Sequence, residues 1–359
     1  MTTVAILGAG AGGCSAAVDL GLAGHRVHLW NRRAATLGPL LGGGALGYTG
    51  AVGSGELTPA LVTTVLQEAL SGVDVAVICQ PALAHEAVLN ELAKLGFELP
   101  LVLNPGHIGG ALHARAVFAA QSQTLPPLAE LSTLTYVARK PAADQVTMYG
   151  KAGRVHAAAL PGGDRALRHA VELFPAASPA KDVLATSLAN VNLVLHPPGA
   201  VLGAAWVEAT GGDFTFYVEG MTEGVVRVVA QLDEERRQVA RAFGHHLPSL
   251  LEEMAAIGTV EPDSRAAGLG PAIRSGVANS QIRAPDSLAH RYYREDLPYG
   301  IVPFLALAEI AGTPVPVAQA LLGLGAILTA EQFGETGLTA QRLGLVGTSA
   351  EDLRAIVGS

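Results

Sequence analysis

The sequence predicts an α/β protein in which a doubly wound parallel sheet at the N-terminus is followed by an all-helical C-terminal domain. Three observations favour this fold class. A glycine-rich turn separates an N-terminal apolar run from a helical pattern, short apolar runs then alternate with helical patterns, and strand-like runs almost vanish after Lys181. Because 359 residues suit two domains, we expect one domain over residues 1–181 and a second over residues 182–359.

Composition limits the classes of function. Apolar residues make up 50% of the chain and charged residues 15%, which is enough apolar material for two large cores and excludes general disorder. The net charge of −8 provides no basic face, so a nucleic-acid partner is not expected.

Neither the cysteines nor the apolar segments indicate a disulfide framework or a membrane. Cys14 and Cys79 are too few for a disulfide framework or a zinc site, and we interpret both as buried free thiols. The most apolar later segment, residues 301–328, is interrupted by Glu309 and by two prolines, so it predicts core helices and no membrane span. The N-terminal segment lacks the positive charge of a signal peptide, and we therefore expect a cytoplasmic protein.

The first domain begins with a strand–turn–helix–strand unit. Residues 3–7 are apolar, residues 8–13 form the glycine-rich turn, a helical pattern runs from Cys14 to about Ala23, and residues 26–30 give the second strand. The glycine-rich residues 37–55 predict a loop or hairpin. Thr58 and Pro59 then resemble the N-cap and first residue of a helix that ends near Leu70.

The remaining elements continue this division into two domains. Strands are predicted over residues 73–78 and 101–104 with a helix over 81–95 between them, and residues 130–159 are expected to add antiparallel strands to the same sheet. In the second domain, helices are predicted over residues 182–195, 214–243, 248–257, 296–311 and 315–328. The charged residues 233–237 are expected to form an exposed helix face.

The glycine motif at the first strand-to-helix turn predicts dinucleotide binding. Gly8 would allow the tight turn, Gly10 would let the backbone approach a pyrophosphate, and Gly13 would allow close packing of the helix on the strand. The helix N-terminus adds free N–H groups and a positive dipole end for the phosphates. In this context the motif is typical of a Rossmann-type domain that binds NAD or NADP.

The residues after the second strand favour NADP as the cofactor, with NAD as the alternative. NAD sites commonly place an acid there for the ribose 2′-hydroxyl, whereas this chain has Asn31 followed by Arg32, which could clamp a 2′-phosphate. A solvated Arg32 is the other interpretation. Gln80 and Pro81 follow the central strand, and we expect them beside the nicotinamide because the carboxyl ends of the strands face the ligand in such sheets.

Two segments of the second half carry candidate acid–base residues. Asn192 and His196 are four residues apart in an apolar helical run that the following prolines are expected to end, so they share one helix face. Arg291 and Asp296 lie in a segment rich in tyrosine and charge before another apolar helix. A histidine paired with a carboxylate is a common acid–base unit, and an arginine can hold the carboxylate of a keto acid with two hydrogen bonds.

Structural interpretations of the same residues stay open at this point. His196 could be a core histidine, and Arg291 could form a structural ion pair with Asp296. Hydride transfer to a carbonyl or imine needs a proton donor, and the lysines of the chain all lie at or before position 181, namely Lys94, Lys140, Lys151 and Lys181. A proton donor in the second domain would therefore be a histidine, a tyrosine or an acid.

Four motifs together resemble the opine dehydrogenase family of the octopine and nopaline type. They follow one another over nearly the whole chain: the glycine motif, the Asn-rich helix with His196-Pro197, a segment with Phe216, Tyr217 and Glu219 that leads into residues 233–236, and the stretch from Arg291 to Pro303. The resemblance implies that His196 is the acid–base residue, that Asp296 orients and charges it, and that Arg291 holds the keto acid. Asn31-Arg32 departs from family members with an acid there, which bears on the choice of cofactor alone.

The reaction that the resemblance implies is an NAD(P)H-dependent reductive condensation of an α-keto acid with an amino acid to give a secondary-amine dicarboxylate. Thr133 and Thr135 are candidates for lining the amino-acid pocket, with a sheet edge as the alternative, and Asn192 is a further candidate for substrate binding. Phe216, Tyr217 and Glu219 are expected to begin the long helix and to shape specificity, with a stabilising helix start as the alternative.

Other interpretations of function and assembly stay open. A 2-keto acid reductase of the same plan would need no amine, and a sensor would bind NADPH without turnover. The apolar C-terminal third suits either a homodimer face or a large domain core.

Overall fold

In the computed structural model, which describes residues 1–280 and 282–358, the chain divides into two units. The first comprises Met1–Gly106 and Val117–Val183, and the second comprises His107–Ala116 and Leu184–Ser359. A largely parallel sheet with helices in the first unit and helices in the second confirm the predicted fold class.

Within residues 1–280 and 282–358, the strands all lie in the first unit. In chain order they are β1 (Thr3–Leu7), β2 (Arg26–Trp30), β3 (Leu46–Gly50), β4 (Gly55–Leu57), β5 (Leu61–Thr63), β6 (Val75–Ile78), β7 (Leu101–Leu103), β8 (Leu128–Leu131), β9 (Tyr136–Ala142), β10 (Gln145–Lys151), β11 (Val155–Ala159) and β12 (Ala177–Pro179). The helices up to this point are α1 (Ala11–Leu22), α2 (Ala34–Leu37), α3 (Leu66–Leu70), α4 (Ala82–Lys94), α5 (Gly110–Ala120) and α6 (Asp164–Leu173), with a 3-10 helix at Gly38–Gly42.

The larger sheet has the strand order β12-β11-β8-β7-β6-β1-β2-β5. From β1 the chain proceeds to β2 and β5 on one side and to β6, β7 and β8 on the other, so the direction of travel reverses between β1 and β6. Leu7 pairs with both Trp30 and Ile78, and Ile78 pairs with Leu103, which brings the carboxyl ends of four parallel strands level. Such a reversal point is where dinucleotides bind in doubly wound sheets.

The centre of this sheet is apolar on both faces. Residues Val75–Ile78 of β6 are all buried, as are all but the first residue of β1, because helices cover both faces of a parallel sheet. Cys79 follows β6 directly and Cys14 lies on α1; both are buried free thiols, as predicted.

The segment 130–159 departs from the predicted arrangement. β8 and β11 join the larger sheet and pair antiparallel with each other, as expected. β9 and β10 instead pair with the predicted hairpin, now β3 and β4, in a second sheet of order β4-β3-β10-β9. The pairing of β10 with β3 joins residues that are far apart in the chain, and an alternation of apolar and polar residues does not reveal the partner of a strand.

The helix predicted from Thr58 to Leu70 is wrong over its first half. Leu61–Thr63 forms β5 and pairs with β2, and only Leu66–Leu70 is helical. The capping signal at Thr58 reflects only the local sequence. Pairing of β5 with β2 satisfies the backbone hydrogen-bonding groups along the edge of β2, and this tertiary pairing outweighs the local helix signal.

After β12, the regular elements of the described residues are helices, apart from an isolated bridge between Thr215 and Arg283. They are α7 (Val183–Leu188), α8 (Asn192–Leu202), α9 (Ala204–Thr210), α10 (Glu223–Ala242), α11 (Leu250–Ile257), α12 (Leu269–Ser275), α13 (Val277–Ser280), α14 (Arg291–Arg294), α15 (Val302–Ile310), α16 (Pro316–Thr329), α17 (Phe333–Thr336) and α18 (Ala350–Val357), with a 3-10 helix at Pro262–Ala267 and a π-helical turn at Leu297–Ile301. Among the described residues, none of the helices is both long and apolar enough to span a bilayer.

Two predicted helix boundaries in this unit are wrong. α8 starts where the side chain of Asn190 accepts a hydrogen bond from the Asn192 amide, and it continues through Pro197 and Pro198. The prolines remove two amide donors, yet the helix is buried from Leu193 to Val201, and packing stabilises it. α10 begins at Glu223, where Thr222 caps it, so the aromatic residues before it are irregular.

The residues 233–237 were predicted to be an exposed face, and this is wrong for most of them. Asp233, Glu235 and Arg236 are buried. Arg236 donates to the Asp233 carboxylate and to the carbonyls of Leu188 and Pro248, while Glu235 accepts the first amides of α16. These charges are tolerated because their hydrogen-bonding groups are paired, since α10 packs against both α8 and α16.

Candidate active site

The turn from β1 into α1 requires glycine at two of its three motif positions. Gly8 has a φ of +126°, and a Cβ on it would lie 2.5 Å from the Cys79 carbonyl oxygen. A Cβ on Gly13 would lie 1.7 Å from the Gly8 carbonyl oxygen. The close packing of α1 on β1 and β6 therefore explains both glycines.

Gly10 differs because the chain leaves open space around it. It is the N-cap of α1, and within the described residues no heavy atom lies within 4 Å of the position that its Cβ would take. The fold itself does not need glycine here, whereas a phosphate approaching the free N–H groups of the first turn does. This cradle fits the pyrophosphate of a dinucleotide.

The other predicted cofactor residues surround this turn. Asn31 accepts the Ala9 amide at 3.3 Å and donates to the Arg33 carbonyl at 3.1 Å, so it ties the glycine turn to the end of β2. Arg32 is exposed beside it. A Cβ on Gly8 would lie 2.7 Å from Cγ of Gln80, which places Gln80 over the turn, and Pro81 begins α4 next to it.

In the second unit, His196 makes a hydrogen bond from each ring nitrogen. Its Nδ1 lies 2.8 Å from Oδ2 of Asp296, and its Nε2 lies 2.9 Å from the hydroxyl of Tyr217. All three side chains are buried. Because an ionised carboxylate only accepts hydrogen bonds, Nδ1 carries a proton and Nε2 is the nitrogen that can exchange one.

Aromatic rings enclose the imidazole. Tyr292 stacks on His196 with the ring centroids 4.0 Å apart, and Phe216 approaches it edge-on. Burial raises the pKa of Tyr217 well above its usual range, and the neighbouring Tyr292 raises it further. Tyr217 therefore stays a neutral hydroxyl that can either donate to Nε2 or accept from it.

Three separate elements position this group. His196 lies inside α8, while Asp296 directly precedes the π-helical turn, whose Ile301 amide donates to the Asp296 carbonyl at 3.0 Å. π-helical turns are often found at functional sites. Gly199 makes room on α8 for the ring of Phe216, since a Cβ there would lie 2.7 Å from that ring, and Tyr217 follows in the chain.

Arg291 pairs with Glu295 and not with Asp296. Its Nε lies 3.5 Å from Oε2 of Glu295, whose other oxygen lies 3.8 Å from Nε2 of His107. Glu295 is buried and holds the base of an arginine whose side chain is 55% exposed, so the guanidinium can meet a ligand. The structural ion pair between Arg291 and Asp296 is therefore not formed.

The remaining predicted site residues divide between the units. Asn192 is half-buried on α8, one turn before His196. Thr133 and Thr135 are buried in the first unit between β8 and β9, outside any strand. Thr135 exchanges two hydrogen bonds with Asn104, and this pairing gives it a structural partner.

Sequence reasoning missed two features of the site. Tyr217 was expected at the start of a helix, whereas it is a direct partner of His196. Glu295 was not singled out from the sequence, although it pairs with Arg291 while Asp296 pairs with His196. Helical spacing could have separated the two carboxylates, because residues 291 and 295 are one turn apart, the spacing of an intrahelical ion pair.

Comparisons with known proteins agree with this geometry. Residues 179–329 match the family model of the α-helical domain of NAD/NADP octopine/nopaline dehydrogenase, and residues 4–98 match that of ketopantoate reductase. The chain is 32% identical to an opine dehydrogenase of Arthrobacter sp. (strain 1C) over 358 residues, which cover 99% of this chain and 98% of the relative. The chain belongs to the opine dehydrogenase family.

Solved structures give the same fold. An octopine dehydrogenase in complex with NADH and agmatine superposes with a TM-score of 0.76 at 19% identity, covering 100% of this chain and 98% of that one. A yersinopine dehydrogenase with NADP+ bound gives a TM-score of 0.69 at 18% identity, covering 99% and 97%. As an opine dehydrogenase, the chain is an NAD(P)-dependent oxidoreductase that condenses an α-keto acid with an amino acid, which confirms the predicted function.

Substitutions of Gly13 and Gly10 are expected to have different effects in this opine dehydrogenase, because the fold requires glycine at position 13 but not at position 10. We expect Gly13→Ala to destabilise the first unit, because its Cβ would meet a carbonyl oxygen. Gly10→Ala should leave the thermal unfolding midpoint unchanged while weakening NADPH binding by about 10-fold or more, because the methyl group would occupy the phosphate cradle. Thermal unfolding and fluorescence titration check both variants, and a Gly10→Ala variant that binds NADPH normally would contradict the assignment of the cradle.

Proposed function

We propose that His196, Asp296 and Tyr217 handle the protons of the condensation, and that Arg291 holds the keto acid. The observation that carries this proposal is the buried hydrogen-bond sequence Asp296–His196–Tyr217, with contacts of 2.8 and 2.9 Å. A buried histidine needs a hydrogen-bond partner for each ring nitrogen. The partners of His196 are a carboxylate and a neutral hydroxyl instead of backbone carbonyls. That combination lets the imidazole take up a proton at Nε2 without leaving its position.

The reaction needs protons at one oxygen. The amine of the amino acid attacks the keto carbon, and the carbonyl oxygen becomes the hydroxyl of a carbinolamine. Loss of that hydroxyl as water gives an imine, and this step needs a proton on the same oxygen. His196 Nε2 would supply it, and loss of water would leave the protonated imine, which needs only the hydride that a bound dinucleotide would supply to become the secondary amine.

Asp296 and Tyr217 would act on His196 from opposite sides. The Asp296 carboxylate holds the proton on Nδ1 and so fixes the tautomer, which leaves Nε2 as the nitrogen that exchanges a proton. The Tyr217 hydroxyl satisfies Nε2 in the buried site in either protonation state, because it can donate or accept.

Arg291 would bind the carboxylate of the keto acid. A guanidinium offers paired N–H groups to a carboxylate, and Glu295 leaves these groups uncovered by contacting Nε. Asn192, one turn from His196, is proposed to bind substrate as well. For Thr133 and Thr135 a place in the amino-acid pocket stays a prediction, since Thr135 is already paired with Asn104.

Arg32 and the lack of an acid at position 31 support a preference for NADPH over NADH. An acid would repel the 2′-phosphate, whereas the exposed guanidinium of Arg32 would attract it. A cytoplasmic location and a homodimer stay predictions from the sequence.

His196→Gln tests the proposal most simply. Glutamine can still contact Asp296 but cannot carry the proton, so we expect kcat to fall by roughly 10²- to 10⁴-fold with NADPH affinity unchanged. The assay follows NADPH absorbance with pairs of keto acids and amino acids. Normal turnover by this variant would refute the role of His196.

Two controls sharpen this test. His169 on α6 also lies beside a carboxylate, at 4.0 Å from Glu172, and His169→Gln should leave kcat unchanged. Leaving out the amino acid should abolish NADPH oxidation by the wild type, whereas a 2-keto acid reductase would oxidise NADPH with the keto acid alone.

Tyr217→Phe removes one hydroxyl and leaves the ring in place. Because a hydrogen bond to a charged group contributes roughly 1.5–3 kcal/mol, we expect kcat to fall about 10- to 100-fold. Tyr293→Phe is the matched control, since its buried hydroxyl donates to the Ala200 carbonyl and not to the site. Both variants lose a buried hydrogen bond, so thermal unfolding should show similar changes, and an equal loss of kcat in both would argue against a specific role for Tyr217.

A further inference from the structure

Lys140 on β9 reaches the glycine turn from the second sheet. Its ammonium donates to the Ala9 carbonyl at 2.8 Å and to the Thr36 carbonyl at 2.6 Å. Ala9 lies between Gly8 and Gly10 of the motif, and Thr36 lies on α2, directly after the turn that ends β2. The ammonium is therefore fixed between the two backbone segments that follow β1 and β2.

This cation is half-buried without an acidic partner. In the ranges 1–280 and 282–358, no carboxylate lies within 4.0 Å of the Lys140 ammonium. Lys151 on the neighbouring strand β10 shows the contrast, because it pairs with Asp19 at 2.9 Å. Burial raises the pKa of the adjacent Cys14 thiol, so Cys14 is not a thiolate that could neutralise Lys140. A cation that the chain desolvates without a counter-charge favours a bound anion.

The position of the Lys140 ammonium indicates which anion it would bind. In doubly wound sheets the pyrophosphate lies at the N-terminus of the first helix, and the adenosine ribose lies at the end of the second strand. Lys140 is anchored to both regions, and its second carbonyl partner belongs to the segment after β2. Arg32 is exposed in that same segment.

We propose that Lys140 and Arg32 together bind the adenosine 2′-phosphate of NADP, with Lys140 as a residue that determines cofactor specificity. The proposal rests on the proposed preference for NADPH. Lys140 is held in place by two carbonyls before the nucleotide arrives, so its charge is available without ordering a flexible side chain. The alternative is that Lys140 acts only as a backbone clamp, which holds the segments after β1 and β2 together and does not bind the nucleotide.

The experiment measures binding of 2′,5′-ADP and of 5′-AMP by calorimetry, because these two ligands differ only in the 2′-phosphate. Lys140→Met should weaken 2′,5′-ADP binding by about 10- to 100-fold and change 5′-AMP binding less than about 2-fold. Lys140→Arg should keep most of the affinity for 2′,5′-ADP. Lys151→Met, on the neighbouring strand, should affect neither ligand.

Lys140→Gln covers the case in which the methionine variant fails to fold. Glutamine keeps N–H donors for the backbone carbonyls and removes only the charge, so it should lose 2′,5′-ADP affinity as methionine does. Equal weakening of both ligands would indicate the backbone clamp, and no weakening of either would leave Lys140 without a role in binding; each result would overturn the proposal.

The wild-type chain distinguishes failure of the proposed cofactor preference from failure of the proposed condensation. A wild-type chain that binds 2′,5′-ADP no better than 5′-AMP would overturn both the preference for NADPH and the role of Lys140. Opine formation with NADH would still show the condensation in that case. Turnover is measured by product formation, whereas the binding of 2′,5′-ADP and 5′-AMP is measured in the absence of substrates.

Discussion

The hydrogen bond between His196 and Asp296 is the interaction on which the proposed chemistry of the second unit depends. It joins residues that are 100 positions apart and lie on α8 and at the start of the π-helical turn. A buried carboxylate and a buried imidazole each cost free energy unless they are paired, so the surrounding helices must hold both with little freedom. α8, which continues through Pro197 and Pro198, holds His196, and Gly199 on the same helix leaves room for the ring of Phe216 beside the imidazole.

The same constraint, that buried polar groups need partners, explains how the two units differ. In the first unit the backbone around Gly10 offers unpaired N–H groups and open space, which suits a phosphate. In the second unit the side chains of Asp296, His196 and Tyr217 form a chain of hydrogen bonds, and Arg291 extends from its ion pair with the buried Glu295. This difference agrees with the proposed roles of the two units, in which the first receives a charged nucleotide and the second moves a proton and binds a carboxylate.

Much of the fold and part of the site could be predicted because their signals are local. The spacing of Gly8, Gly10 and Gly13 is set within one turn, and the resemblance to the family pointed to His196 with Asp296. The pairing of β3 with β10 and the strand at Leu61–Thr63 depend on partners far away in the chain, which periodicity does not reveal. Tyr217 was misplaced for the same reason, since its partner is brought by folding and not by helical spacing.

The central claim is that His196 and Asp296 act as one unit, and a double-mutant cycle tests it most directly. The measurement compares kcat/KM of Asp296→Asn, His196→Gln and the double variant at one pH. If the carboxylate works only through the imidazole, the double variant should be no slower than His196→Gln alone. Losses that multiply in the double variant would show that the two residues act independently and would contradict this account.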